Sequence, residues 1–162
     1  MGHTVLAVHR RPVGAGDRDL LRELFAGSRD DLDLLPADVR SAMVDLQQRA
    51  QEQQYAAAYP HARHAILAVD GIDVGRLVLD HAGDGVHVVD VSVLAAHRDR
   101  GIGTSVLTDV IDEAAGAARP VRLQVWAGNH RARRLYERLG FVVTGEAGGY
   151  LHMARDTSPE RH

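Results

Sequence analysis

One stretch constrains this chain more than any other. From Val86 the run Val-His-Val-Val-Asp-Val-Ser-Val leads through Leu94 into Ala-Ala-His-Arg98-Asp-Arg100-Gly101-Ile102-Gly103-Thr104. Beyond it Ile102, Val106, Val110, Ala114 and Ala118 recur on one face with Leu107 and Ile111 beside them, while Asp109, Asp112 and Glu113 point outward. A β-branched strand, a short glycine loop and an amphipathic helix in that order commit the fold to a sheet with a helix packed on it. They also make an anion site, because glycines let N–H groups approach a ligand and a helix N-terminus adds unpaired donors and a positive dipole end. A tight strand-to-helix turn that uses its glycines only for geometry is the plainer alternative.

The rest of the chain reads as one mixed domain. Residues 4–8 read as a first strand, ended by Arg10, Arg11 and Pro12; Asp17 suits the N-cap of a helix through Leu20, Leu21, Leu24 and Phe25 that Gly27 stops. Asp30, Asp31, Leu32 and Asp33 form an acidic connector. A longer helix has Pro36 in its first turn and runs to about residue 58, with apolar positions Val39, Met43, Leu46, Ala50 and Ala57; its Gln-rich second half reads as a solvated face or as the lining of a groove. Strands are expected at 65–70, 72–80, 86–94, 121–127, 141–144 and 150–154, with a short helix through Ala132, Leu135 and Leu139 closed by Gly140. The order β-α-α-β-β-β-α-β-α-β-β predicts an α+β fold with a mixed sheet in one domain over residues 1–156, and 157–162 as a disordered tail.

Composition removes whole classes of function. The net charge of −3 and only seven aromatics, two Phe, one Trp and four Tyr, argue against a nucleic-acid partner. The chain has no Cys and, among its 19 basic residues, no Lys, which excludes disulfides, thiolate metal sites, Cys or Lys nucleophiles and a lysine P-loop. The arginine bias fits a GC-rich, bacterial genome. No run approaches the ~18 apolar residues of a membrane span, and the first residues lack the pattern of a signal peptide, so a cytoplasmic protein without a membrane partner is expected. His61 and His64 lie three apart without nearby acidic partners, and no metal is expected.

About 25 residues after the glycine loop comes Asn129-x-x-Ala132-x-x-Leu135-Tyr136-Glu-Arg-Leu-Gly140-Phe141. The Arg-x-x-Gly-x-Gly loop and this second element, over roughly residues 65–145, resemble the GNAT acetyltransferase superfamily. The resemblance implies a mostly antiparallel, twisted sheet of about six to seven strands with splayed central strands, flanked by about four helices. It implies acetyl-CoA as cosubstrate: the main chain of Val91 to Val93 pairing with the pantetheine arm beside a bulge near Ser92, and the Val93 N–H on the thioester oxygen. Arg98 and the N–H groups of Arg100, Gly101, Ile102, Gly103 and Thr104 would hold the pyrophosphate. Asn129 would bond the pantetheine region, cap a helix, or both. Tyr136 would protonate the leaving thiolate, or else is a core aromatic. Two departures stand out: Ala95 replaces a frequent Pro, and Asp99 a frequent Gly. Asp99 places a negative charge beside the pyrophosphate site, so it is expected to face solvent or pair with an arginine.

With neither Cys nor Lys, direct transfer from the thioester to an amine in a ternary complex is the expected route. His87 and Asp90, on opposite faces of a regular strand, are the candidate bases; a strand-edge histidine and a structural carboxylate are their plainer readings, and deprotonation through water alone is the other route. The acceptor, a small-molecule or peptide amine, would meet residues 26–36, Tyr55, Tyr59 and Tyr150. A CoA-binding sensor of the same fold is the alternative, and a homodimer is left open. A dinucleotide-binding domain is excluded, because its third glycine would fall at Val106.

Overall fold

The computed structural model describes residues 6–81 and 83–157. In chain order these form β1 (His9–Pro12), α1 (Arg18–Gly27), α2 (Ala37–Ala58), β2 (Arg63–Val69), β3 (Ile72–Asp80), β4 (Val86–Val93), α3 (Ile102–Gly116), β5 (Val121–Trp126), α4 (His130–Arg138), β6 (Val142–Ala147) and β7 (Tyr150–Arg155). The seven strands among the described residues make one sheet in the order β1-β2-β3-β4-β5-β7-β6. Every pairing is antiparallel except β4 with β5.

Local sequence explains the edges and turns. Asp70 and Gly71 take φ of 52° and 77°, the positive values of a two-residue hairpin turn, which Asp-Gly tolerates best. Pro12 stands in an edge strand, where its missing N–H breaks no ladder. That strand corrects the expectation at the N-terminus: residues 4 and 5 lie outside the described residues, 6–8 are not strand, and Arg10, Arg11 and Pro12 pair with Leu67, Ile66 and Ala65 rather than ending the element. Asp17 stands at the start of α1 but does not cap it. Its carboxylate instead accepts from Arg11 at 2.6 and 2.9 Å and from the Gly14 N–H at 2.7 Å.

The main core lies between one face of the sheet and helices α3 and α4. Val106, Leu107 and Val110 of α3 meet Leu77, Val86, Val88, Val121, Leu123 and Met153 of the strands. At ~25 cal/mol per Å² of apolar surface, this burial is the dominant favourable term in folding. On the other side α1, α2 and the connector between them carry a separate small cluster, Phe25, Leu32 and Val44. There the expected apolar stripe of α2 holds only at Met43, which is half-buried against this cluster. Val39 and Leu46 are exposed, as are Ala50 and Ala57, and Val44 is the buried position. The inward stripe continues as Gln47, Gln48, Gln51, Glu52, Tyr55 and Tyr59, so the Gln-rich half turns inward, the groove-lining alternative. At the other terminus Thr157, expected in the tail, is buried with its hydroxyl on the Arg119 carbonyl; 158–162 lie outside the described residues.

Candidate active site

Strands β4 and β5 pair over three positions, Val86 with Val121, His87 with Arg122 and Val88 with Leu123, and then part. The bulge on β4 lies at Val89, because Val78 pairs with Asp90 and Leu79 with Val88; the expected site near Ser92 was three residues too far along. Its consequence is a change of face. His87 packs its ring 5.2 Å from Tyr59, and Asp90 bonds Arg76, which is also bound to Glu52 of α2. Both side chains therefore look toward α2, where regular alternation would separate them.

Past the bulge, Leu94 N–H donates to the Val74 carbonyl at 2.8 Å. Antiparallel alternation then turns the main-chain groups of Ser92 toward β3 and those of Val91 and Val93 into the gap left by β5. The gap is an unfilled strand position with main-chain donors and acceptors on its β4 side. The Val93 carbonyl is already taken by Arg98 Nε at 3.2 Å, and Arg98 Nη2 reaches the Gly27 carbonyl at 2.8 Å. The Arg98 guanidinium thus straps the loop to the end of α1.

The loop enters α3 through Gly101, whose φ of 81° is left-handed and which offers no side-chain cap. The N–H groups of Ile102, Gly103 and Thr104 are left as the first-turn donors of a fifteen-residue helix. A Cβ at Gly103 would stand 3.3 Å from Leu135 Cδ2, so the glycine lets α3 start close against α4. Arg100 is exposed. Asp99 at φ 64° is both exposed and paired with Arg131, so both expected outcomes hold. Asn129 caps α4, its Oδ1 accepting from the Ala132 N–H at 3.1 Å.

Tyr136 of α4 is 8% exposed and packs edge-on to Phe141 at 5.9 Å. Burial, with the Asp90 charge second, pushes its phenol up to about 12. Asp90 lines a cavity of about 50 Å³ closed by Leu21, Leu24 and Phe25 on an apolar wall and by Ser28, Gln48, Gln51, Glu52, Arg76 and Ser92 on a polar one. Desolvation raises the Asp90 carboxyl above its usual range, and Arg76 opposes the rise. His87 is half-buried and pushed down, first by burial. It lies opposite Arg122, where the sheet is still closed. Tyr55 is raised by burial and then by Asp90, while Tyr150 stands half-exposed, 5.5 Å from the Trp126 ring.

The structure thus gathers Asp90, Val91, Val93 and Tyr136 around the parting strands and leaves His87 aside. Sequence reasoning passed over Arg76 and Glu52. The available signal was an arginine inside the apolar run Val74-Gly-Arg-Leu-Val-Leu, since a charge there is buried only when paired. Among the described residues no group of three or more His, Asp or Glu could hold a metal, and no helix is long and apolar enough to cross a membrane.

Solved structures share this fold. PaiA N-acetyltransferase from Thermoplasma acidophilum, solved in complex with coenzyme A, superposes with a TM-score of 0.69 at 14% identity, covering 93% of this chain and 99% of that one. An acetyltransferase from Thermus thermophilus gives 0.69 at 20% identity over 94% and 98%. The ribosomal-protein-S18-alanine N-acetyltransferase from Escherichia coli gives 0.64 at 18% over 96% and 97%. No curated protein matches in sequence. The sequence model of the Acetyltransferase (GNAT) family matches residues 32–141, more than half of the chain, and this protein belongs to that family.

Proposed function

We propose that the protein is an acetyl-CoA-dependent N-acetyltransferase that passes the acetyl group directly to an amine. The observation that carries this reading is the parting of β4 and β5 after three pairs, with the main chain of Val91 and Val93 facing the gap and Asp90 and Tyr136 beside it. The residues fit the cosubstrate: an open strand position suits the amide-bearing pantetheine arm, and the uncapped start of α3 suits a pyrophosphate. Arg100, Gly101, Ile102, Gly103 and Thr104 would hold that pyrophosphate, with Arg98 fixing the loop. Asn129 has its side-chain NH₂ left for the arm while its oxygen caps α4.

Acetyl-CoA supplies the acetyl group as a thioester. The acceptor ammonium gives up one proton to solvent. Asp90 takes the second as the amine nitrogen bonds to the carbonyl carbon, favoured over His87 because it lies in the open part of the sheet. The Val93 N–H donates to the carbonyl oxygen as it gains charge. Tyr136, protonated throughout the working range, donates to sulfur as the C–S bond breaks. The proton that Asp90 gains balances the one that Tyr136 loses, and exchange through solvent restores both. The acceptor, an amine of a small molecule or peptide, reaches the cavity past Phe25, Ser28, Tyr55 and Tyr150. Its need for acetyl-CoA favours the cytoplasm as the place where the enzyme works.

Thiol release from acetyl-CoA, measured against amines, polyamines, amino acids and peptides, tests the proposal together with thermal shift. Acetyl-CoA raises the melting temperature, NADH does not, and at least one amine releases thiol. No shift at millimolar acetyl-CoA overturns the reading. A shift without release by any amine makes the protein a CoA-binding sensor.

A further inference from the structure

Arg76 is the one arginine among the described residues that is buried, 4% exposed, and it sits in the middle of β3 opposite Ser92. Its guanidinium is held on several sides. Nη1 donates to Glu52 Oε1 at 2.6 Å, Nη2 and Nε donate to Asp90 Oδ2 at 2.8 and 3.2 Å, and the group lies 5.6 Å over the Tyr55 ring. Both bonds to Asp90 fall on the same oxygen. Oδ1 makes no hydrogen bond among the described residues, and Asp90 lines the cavity. A carboxyl buried without a cation is driven to its neutral form and cannot take a proton. A planar, always-charged guanidinium locked by Glu52 and Tyr55 prevents this and fixes the carboxylate plane as well.

We propose that Arg76 is a positioning residue of the transfer reaction: by pinning Oδ2 it fixes the Asp90 carboxylate, sets a cation against it, and leaves Oδ1 as the oxygen that receives the amine proton, with Glu52 as the clamp on Arg76. The inference rests on Asp90 being the base. The charged and titratable groups facing Asp90 are Arg76 from β3, Glu52 and Tyr55 from α2, His64 from β2 and Tyr136 from α4; α1 presents only Leu21, Leu24 and Phe25 to the cavity, and Ser28 follows at its end. His64 is pushed down, chiefly by burial, and a His64→Gln variant separates its titration from that of Asp90.

The test is the pH profile of kcat/KM for the best amine, with acetyl-CoA saturating and its Kd measured in parallel. Arg76→Met moves the acidic limb up by about one pH unit or more and lowers kcat at least about tenfold, with acetyl-CoA affinity unchanged. Arg76→Lys restores the limb but only part of kcat. Glu52→Gln, at a half-exposed position, keeps an acceptor for Arg76 Nη1 but removes a competing charge and moves the limb down. Asp90→Asn with Arg76→Met is no slower than Asp90→Asn alone. Limbs that stay in place, or losses that add in the double variant, overturn the proposal; if Arg76→Met does not fold, an unmoved limb in Glu52→Gln does so. Full activity in Asp90→Asn instead removes the base assignment itself.

Discussion

Arg98 Nη2 donates to the main-chain carbonyl of Gly27 at 2.8 Å, joining the glycine loop before α3 to the last residue of α1. The same guanidinium holds the Val93 carbonyl. Arg98 thereby ties β4 to α1, and if these flank the two substrates as proposed, Arg98→Ala raises the KM of the amine about tenfold as well as weakening CoA. Hydrogen bonds to a charged group are worth roughly 1.5–3 kcal/mol, enough for that change. Steady-state kinetics with each substrate varied separately checks it; an unchanged amine KM would confine the effect of Arg98 to the CoA side.

Tyr136→Phe keeps the packing on Phe141 and removes only the hydroxyl. Turnover is expected to fall by about 10²–10⁴, the usual worth of a general acid, with CoA affinity unchanged. Because the wild-type phenol is pushed up to about 12, its ionisation contributes no alkaline loss of rate below about pH 11. Single-turnover rates across pH decide the point.

Asp99 is a non-glycine residue at φ 64° beside the start of α3. Asp99→Gly relieves the left-handed backbone, frees Arg131 and removes a negative charge, so CoA should bind a few-fold more tightly. Asp99→Asn isolates the charge effect. Calorimetric titration at two salt concentrations separates the two, since the electrostatic part shrinks as salt screens it.

The Asp17 carboxyl is held at about 2, first by the Arg11 bonds and then by the Gly14 N–H. A group whose folded value is depressed adds stability above its unfolded value, near 3.9, and loses it as pH falls toward the folded value. Asp17→Asn should therefore flatten the stability curve between about pH 4 and pH 2 and leave its shape near neutrality unchanged. Denaturant melts at pH 2, 3, 4 and 7 measure this.

Leu107 is fully buried in the main core and Leu46 is 62% exposed on α2. Leu107→Ala should cost about 2–5 kcal/mol, and Leu46→Ala less than about 0.5. Equal losses in urea melts would mean that α2 presents a different face to the sheet.

The difference between these two leucines marks where the sequence was readable. β3 kept its expected bounds because Asp-Gly fixes the turn before it. The glycine loop and α3 were legible because one apolar stripe faces one sheet. For α2 the same rule pointed to Val39 and Leu46, since the face that turns inward is Gln47, Gln51, Glu52 and Tyr55. Polar groups lining a cavity carry no hydrophobic period. The bulge at Val89 lacked any Gly or Pro to announce it, and regular alternation without it points Asp90 and His87 apart. Arg76 was hidden for a related reason: its partners lie 14 and 24 residues away, on another strand and a helix.

The main hydrophobic cluster includes no residue of α1 or α2, which rest on Phe25, Leu32 and Val44 instead. Inheritance can act on the two sides of the sheet separately. Changes at Gln48 or Gln51 reshape the cavity without disturbing the packing that holds α3. A lineage carrying this chain can therefore alter the α1–α2 side in single steps while the core under α3 stays as it was.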